Sequence, residues 1–193
     1  MTSNSSKRNT VENTQLRSAK EIAERCIILN EILFVVHGGA TCEKIQELLK
    51  SWGLLDSVSH AEKIFLSKEN HSQTELDEMS WKRESLFALL WTLGEVKKLS
   101  EPNAESDIPS EVFFKLESDP LSWINQVTIR SEDKILKAAE DIYDIHWMVR
   151  DAILNNRPIP HNYDTNVVYH RHHALYWVEK YGNYDWDNIS VDT

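Results

Sequence analysis

The sequence has little glycine and little proline, with five of each in 193 residues. Chains that form β-sandwiches or barrels use both residues at their many tight turns, so this shortage argues against an all-β protein. No alternating apolar and polar pattern predicts a sheet, and no segment repeats along the chain. The composition therefore favours a helical protein.

Cysteine is also scarce. The two cysteines, Cys26 and Cys42, are too few for a disulfide framework or a structural zinc site. The most apolar segment, residues 26–36, is interrupted by Asn30 and Glu31 and falls short of the about 20 residues that span a bilayer. Residues 1–14 are polar and lack the apolar stretch of a secretory signal. We therefore expect a cytoplasmic protein with reduced thiols and a disordered segment at residues 1–14.

Basic residues are fewer than acidic residues. Lysine and arginine number 21 against 31 aspartates and glutamates, which gives a formal net charge of −10. A negative field repels phosphate backbones and anionic lipid, so we expect neither nucleic acid nor a membrane as a partner. An acidic protein suits a partner protein with a basic surface.

Apolar residues make up 41% of the chain and include seven tryptophans, which is enough for a sizeable core. In residues 75–99 the large apolar side chains point in every direction around the helix axis, as in a helix enclosed by others. Further long helices are predicted at residues 14–36, 131–155 and 165–181, and Ser59 with Glu62 forms a capping box. We therefore predict a single all-α domain over residues 15–193, with six to eight helices around the enclosed helix at 75–99.

Four ionisable residues fall on apolar helix faces when residues are placed about 100° apart. Glu84 lies in the enclosed helix, His146 and Arg150 on the apolar side of the 131–155 helix, and Arg171 in the middle of the apolar arc of the 165–181 helix. In this helical projection, His172 and His173 point outwards. Buried charges need partners, so we predict an ion pair between Glu84 and Arg171 with charged atoms closer than about 4 Å.

The same reasoning leaves two interpretations of this polar set open. The first is a structural network, in which Asp187 or Asp192 of the C-terminal tail is a second acceptor and His146 caps a carbonyl. The second is a pocket for a polar or anionic small molecule, lined by the same six residues. The first is favoured, because a buried charge without a partner is costly.

Metal binding is the weaker alternative. His170 and His173 lie one helical turn apart, and carboxylates pair at turn spacing at Glu21 with Glu24 and at Asp141 with Asp144. All-α nucleotide pyrophosphohydrolases hold magnesium with such pairs. The sequence has no HExxH motif, glycine-rich phosphate loop or nucleophile elbow, so we expect no resident metal or cofactor.

Several motifs, in order, resemble a bacterial family known only as domain of unknown function 4272. They are RSAKEIAER at residues 17–25, WKRESL at 81–86, LLWTLG at 89–94, DIYDIHWMVRDA at 141–152, RHHALYW at 171–177, and WD with DT in the tail. The resemblance covers roughly residues 15–193 and implies a cytoplasmic bacterial protein without an assigned activity. The family motifs include Glu84, His146, Arg150 and Arg171, which favours one shared polar site.

These observations lead to two expectations for function. The first is a non-enzymatic interaction or accessory protein, of the immunity or regulatory kind, because no complete set of catalytic residues is evident. The alternative is a metal-dependent hydrolase acting on a nucleotide or another phosphorylated small molecule through Asp141, Asp144, Glu21 and Glu24.

Overall fold

The computed structural model describes residues 16–193, so the disordered segment predicted at residues 1–14 lies outside the described residues. Within the described part the protein is all-α and contains no strand, which confirms the predicted fold class. Its helices are α1 (Ala19–Val36), α2 (Cys42–Ser51), α3 (His60–Leu66), α4 (Gln73–Ser80), α5 (Lys82–Thr92), α6 (Ser110–Ser118), α7 (Pro120–Gln126), α8 (Glu132–Leu154) and α9 (Thr165–Val178). If α4 and α5, separated only by Trp81, are taken as one bent helix, eight helices remain.

Serine caps set where several helices begin. Ser18, Ser59 and Ser72 each accept a hydrogen bond from the backbone of a glutamate three residues later, whose carboxylate bonds back to the serine N–H. The predicted capping box at Ser59 is therefore confirmed. Each box satisfies two N–H groups that the first helical turn leaves without partners.

The enclosed helix is α5, in which Leu86, Ala88, Leu89 and Leu90 are all completely buried. The predicted extent of 75–99 was wrong, because the chain bends at Trp81 and the helix ends at Thr92. Gly94 has a φ of +79°, a conformation that glycine adopts without steric cost, and the chain turns there into the loop at 93–109.

A second helix is as central as α5. Most of α1 is buried, and α1 packs against α2, α4, α5, α6 and α7. On its other side α5 packs against α9, which in turn packs against α8. In the order α1, α5, α9, α8, helix α9 lies between α5 and α8, so its polar residues can contact both of those helices. No described helix has the length and apolar character needed to cross a membrane.

Candidate functional site

The ion pair predicted between Glu84 and Arg171 is formed at the contact between α5 and α9. Arg171 Nε donates to Glu84 Oε2 over 3.0 Å, and both side chains are only 1% exposed. The pair is therefore removed from water and screened little by salt.

Two serines of the 93–109 loop complete this first cluster. Ser106 donates to Glu84 from its backbone N–H over 2.6 Å and from its hydroxyl over 2.7 Å. Arg171 donates to the Ser106 hydroxyl over 2.7 Å and to the Ser100 carbonyl over 2.5 Å, and its guanidinium lies 5.0 Å from the centre of the Phe87 ring. Burial lowers the pKa of Arg171, while the charge and hydrogen bond of Glu84 oppose that change.

Every buried polar atom of Glu84, Arg171 and Ser106 has a hydrogen-bond partner. A cluster satisfied so completely by the chain itself leaves no buried polar atom unpaired for a ligand to bind. Its geometry matches the structural network, in which the loop at 100–106 is fastened to α5 and α9.

The other predicted members of the site lie elsewhere. His146 is buried, as expected, but its Nδ1 lies 2.8 Å from Nδ1 of His172, so it does not cap a carbonyl. One of these two nitrogens must carry the proton and the other accept it. Burial, followed by the charge of Arg150, lowers the pKa of His146. The inward position predicted for Arg150 was wrong, because its side chain is exposed.

His172 and His173 are completely buried and 7% exposed respectively, so the outward orientation predicted for them was wrong. The reason is that α9 is covered by α5 and α8 on two sides and by the tail on a third. The buried face of α9 is therefore wider than the single apolar arc predicted from its sequence.

The tail does not supply the second acceptor for Arg171. Asp187 Oδ2 accepts a hydrogen bond from the Ala61 N–H over 2.9 Å, at the start of α3. Asp192 is exposed and bonds to Ser190. That expectation was wrong because Ser100 and Ser106 already occupy the donors of Arg171. The tail is nevertheless anchored by Trp186, which is 3% exposed.

A second buried ion pair was not anticipated from the sequence. Arg25 of α1 donates to Glu62 Oε2 of α3 over 2.6 Å, and the two side chains are 6% and 1% exposed. Arg25 also donates to the Ser57 carbonyl over 2.5 Å and lies 5.0 Å from the centre of the Trp186 ring. The sequence contained a signal for this pair, because Arg25 lies among apolar residues of α1 as Arg171 does in α9.

This second cluster is only partly satisfied. Its buried atoms that have no hydrogen-bond partner among the described residues are Arg25 Nε, Glu62 Oε1, His173 Nδ1 and Trp186 Nε1. His173 Nε2 lies 2.8 Å from the Trp186 carbonyl, which can only accept, so Nε2 carries the proton and Nδ1 is an acceptor. The set therefore combines donors with acceptors, which is the environment in which proteins hold ordered water.

A lysine ammonium group lies beside the second cluster, and its charge affects the neighbouring histidines. The Lys82 ammonium lies 5.7 Å from the centre of the Trp186 ring, and burial lowers its pKa while Glu62 and Asp187 oppose that change. Burial, followed by the charge of Lys82, lowers the pKa of His173 to about 4 and that of His170 to about 3. Both imidazoles are therefore neutral at physiological pH.

The structure does not assemble the metal alternatives. Glu21 is used by the capping box of Ser18, Glu24 pairs with Lys20, and Asp141 pairs with Lys137. His173 is bonded to the Trp186 carbonyl. Within residues 16–193 no group of three or more histidine, cysteine, aspartate or glutamate side chains could hold a metal ion.

The fold and these clusters define an all-α protein with two buried arginine–glutamate pairs. The chain matches the family model described as "Domain of unknown function (DUF4272)" over residues 4–189 of 193, and it belongs to that family. No curated protein and no solved structure matches the chain.

Proposed function

We propose that this chain is a non-enzymatic interaction protein of the bacterial cytoplasm, of the immunity or regulatory kind, which binds a partner protein with a basic surface. The observation that supports this proposal is the outer face of α8, where acidic and large apolar residues share one exposed stripe. A cytoplasmic location is consistent with the two cysteines, both of which are free.

The stripe follows the spacing of a helix face, with one residue every three or four positions. Its members, which we call the α8 stripe, are Asp133, Lys137, Glu140, Asp144, Trp147, Asp151 and Leu154. All are exposed except Asp151, which is half-buried. The opposite face of α8 packs on α9, so the stripe is the side of the helix that the described fold does not cover.

Trp147 is the natural anchor of this surface. It is 52% exposed, and it is the most exposed of the seven tryptophans, four of which are at most 9% exposed. Leu154, two helical turns further on, is 73% exposed. Exposed tryptophan contributes little to folding but much to binding when a partner buries it.

The N-terminal half of the α8 stripe supplies charge. Asp133, Glu140 and Asp144 outnumber Lys137, which itself contacts Glu140 and Asp141. Such a surface attracts a basic partner and repels a second copy of the same acidic chain. The geometry thus combines an apolar anchor with electrostatic steering, as protein interfaces do.

The test is site-specific capture. A photo-crosslinking amino acid is placed either at position 144, where the charged part of the stripe ends, or at position 151, between Trp147 and Leu154, and the protein is used in a native lysate. The crosslinked protein is then purified, and its affinity is measured against the wild type, the double variant W147A/L154A and the charge variant E140K/D144K. We expect a basic partner, at least tenfold weaker binding for each variant, and weaker binding of the wild type at higher salt.

Phe114 of α6 offers the matched control, since it is a large aromatic side chain that is 71% exposed on another surface. The variant F114A should bind as the wild type does. Equal losses for F114A and W147A/L154A, or a partner whose affinity does not depend on salt, would overturn the proposed surface. Self-association through the stripe is checked by the mass of the wild type in solution.

A further inference from the structure

A cysteine and a histidine that belong to neither buried ion pair meet at the start of α2. Cys42 is the first residue of α2, after the cap Thr41, and its Sγ lies 3.3 Å from Nε2 of His71. Twenty-nine residues separate the two along the chain. The fold therefore creates a thiol–imidazole pair at hydrogen-bond distance, the arrangement that nucleophilic cysteines require.

The ring of His71 is fixed in place. It stacks on Phe65 with the ring centres 3.9 Å apart and the planes 14° from parallel. Its other nitrogen, Nδ1, is buried and has no hydrogen-bond partner among the described residues. Stacking thus orients the imidazole in place of the carboxylate found in many triads.

The pair lies on the wall of a groove of about 960 Å³, near the upper end of the range for small-molecule sites. One part of its lining is apolar and includes Val35, Ala40 and Leu76, and another part carries charges of both signs, from Lys50, Lys68 and three glutamates. A ligand with a short apolar chain and a polar head fits such a lining.

Burial raises the pKa of the Cys42 thiol, although its own backbone N–H opposes that change. The sulfur is therefore a neutral thiol at physiological pH and needs a base in order to attack. In the tautomer that carries its proton on Nδ1, His71 accepts the thiol proton at Nε2. The first turn of α2 also favours negative charge, since its N–H groups point towards the start of the helix.

We propose that Cys42 accepts an acyl group from an activated ester or thioester bound in this groove. The sulfur forms a bond to the carbonyl carbon while its proton passes to His71 Nε2. The carbon–oxygen or carbon–sulfur bond to the leaving group then breaks, and the departing alcohol or thiol takes the proton from His71. The product is an acyl thioester on Cys42, with no change in oxidation state. This inference is independent of the α8 stripe.

Cys26 provides the internal control, because it is completely buried in α1 and burial raises its pKa well above the ordinary value. The wild type and the variants C42S, C26S and H71Q are treated with p-nitrophenyl butyrate and p-nitrophenyl acetate. Release of p-nitrophenolate gives the rate, and intact-mass and peptide-mass measurements locate the acyl group. Circular dichroism establishes that each variant is folded.

We expect one acyl group per chain on Cys42, none in C42S, and unchanged acylation in C26S. H71Q should react about 10- to 100-fold more slowly at pH 7, with the ratio shrinking as the pH rises and the thiol ionises without help. Each rate is divided by the rate of free cysteine with the same ester. On this scale the butyryl ester should react about tenfold faster than the acetyl ester, because two more methylenes enter the apolar part of the groove.

Acylation of Cys26 or lysines instead of Cys42 would overturn the proposal. A Cys42 rate no higher than that of free cysteine would do the same, and so would an H71Q rate equal to the wild type at every pH. If H71Q does not fold, the comparison of Cys42 with free cysteine and the ratio of the two esters decide the question alone.

Discussion

The two buried arginine–glutamate pairs use the same chemistry in different surroundings. Around Glu84 and Arg171, hydroxyl, N–H and carbonyl groups of the 93–109 loop satisfy the buried polar atoms. Around Glu62 and Arg25, one buried atom of each partner has no hydrogen-bond partner among the described residues. A buried pair stabilises a fold only when its remaining polar atoms are also bonded. Breaking the first pair should therefore lower the free energy of unfolding more than breaking the second.

The largest effect is expected for Glu84→Gln. The substitution removes the only charge that contacts Arg171 within the described residues, and it exchanges a carboxylate oxygen for a donor facing the donors of Ser106. We expect a loss of about 3–5 kcal/mol in the free energy of unfolding, measured by urea denaturation. Ser106→Ala, which removes a hydroxyl bonded to both charged groups, should cost about 2 kcal/mol. A Glu84→Gln cost no larger than that of Ser106→Ala would show that the pair is not structural.

Glu62→Gln should cost less, about 2–3 kcal/mol. The amide oxygen can still accept from the Ser59 N–H, and Arg25 keeps the Ser57 carbonyl and its position beside Trp186. Both variants are compared in the same denaturation series at pH 7. If Glu62→Gln lowered the free energy of unfolding as much as Glu84→Gln or more, the predicted difference between the two clusters would be contradicted.

Lowering the pH should destabilise the protein through the two histidines at the second cluster. The pKa values of about 4 for His173 and about 3 for His170 lie below the ordinary 6.5, so the unfolded chain takes up protons first as the pH falls. The contribution of these histidines to stability is therefore full above about pH 6.5 and is lost as the pH falls from there, down to about 4 for His173 and about 3 for His170. Between pH 7 and pH 5 each of the two histidines should cost on the order of 2 kcal/mol. Urea denaturation at both pH values should show a smaller decline for His173→Gln, and an unchanged decline would contradict the assignment.

The smallest effect is expected on the surface of α8. Asp141 pairs with Lys137, and the two side chains are 55% and 64% exposed. Asp141→Asn should change the free energy of unfolding by less than about 0.5 kcal/mol. Magnesium or manganese should leave the melting temperature of the wild type unchanged. A metal-dependent rise that Asp141→Asn abolishes would instead support the hydrolase alternative.

The sequence predicted those features that depend on one helix at a time. Glu84 and Arg171 could be recognised because each is a charge on an apolar face, and the capping box at Ser59 because its two residues are close in sequence. The same rule applied to α1 would have found Arg25. The break at Trp81 and the helix end at Thr92 were missed, because apolar residues continue on both sides of them.

Features that depend on which helices become neighbours were not predictable in this way. His172 and His173 are buried because the tail and two helices surround α9, and no spacing within α9 reveals that. Asp187 bonds to α3 rather than to Arg171 for the same reason. Cys42 and His71 are brought together by the connection through α3, so their pairing is a property of the fold alone.

The beginning and the end of the described chain are fastened to each other. The Arg17 N–H donates to the Val178 carbonyl over 2.8 Å, Arg17 Nε donates to the Trp177 carbonyl over 2.9 Å, and Arg25 lies beside Trp186. The helices that cover most of α1 are α2, α4, α5, α6 and α7, whereas these contacts of Arg17 and Arg25 come from α9 and the C-terminal tail. The N-terminal end of α1 therefore gains its last contacts only after α9 and the tail have been made. A chain stopped after residue 183 should accordingly be captured by chaperones and degraded faster than the complete protein, which a pulse-chase measurement would reveal.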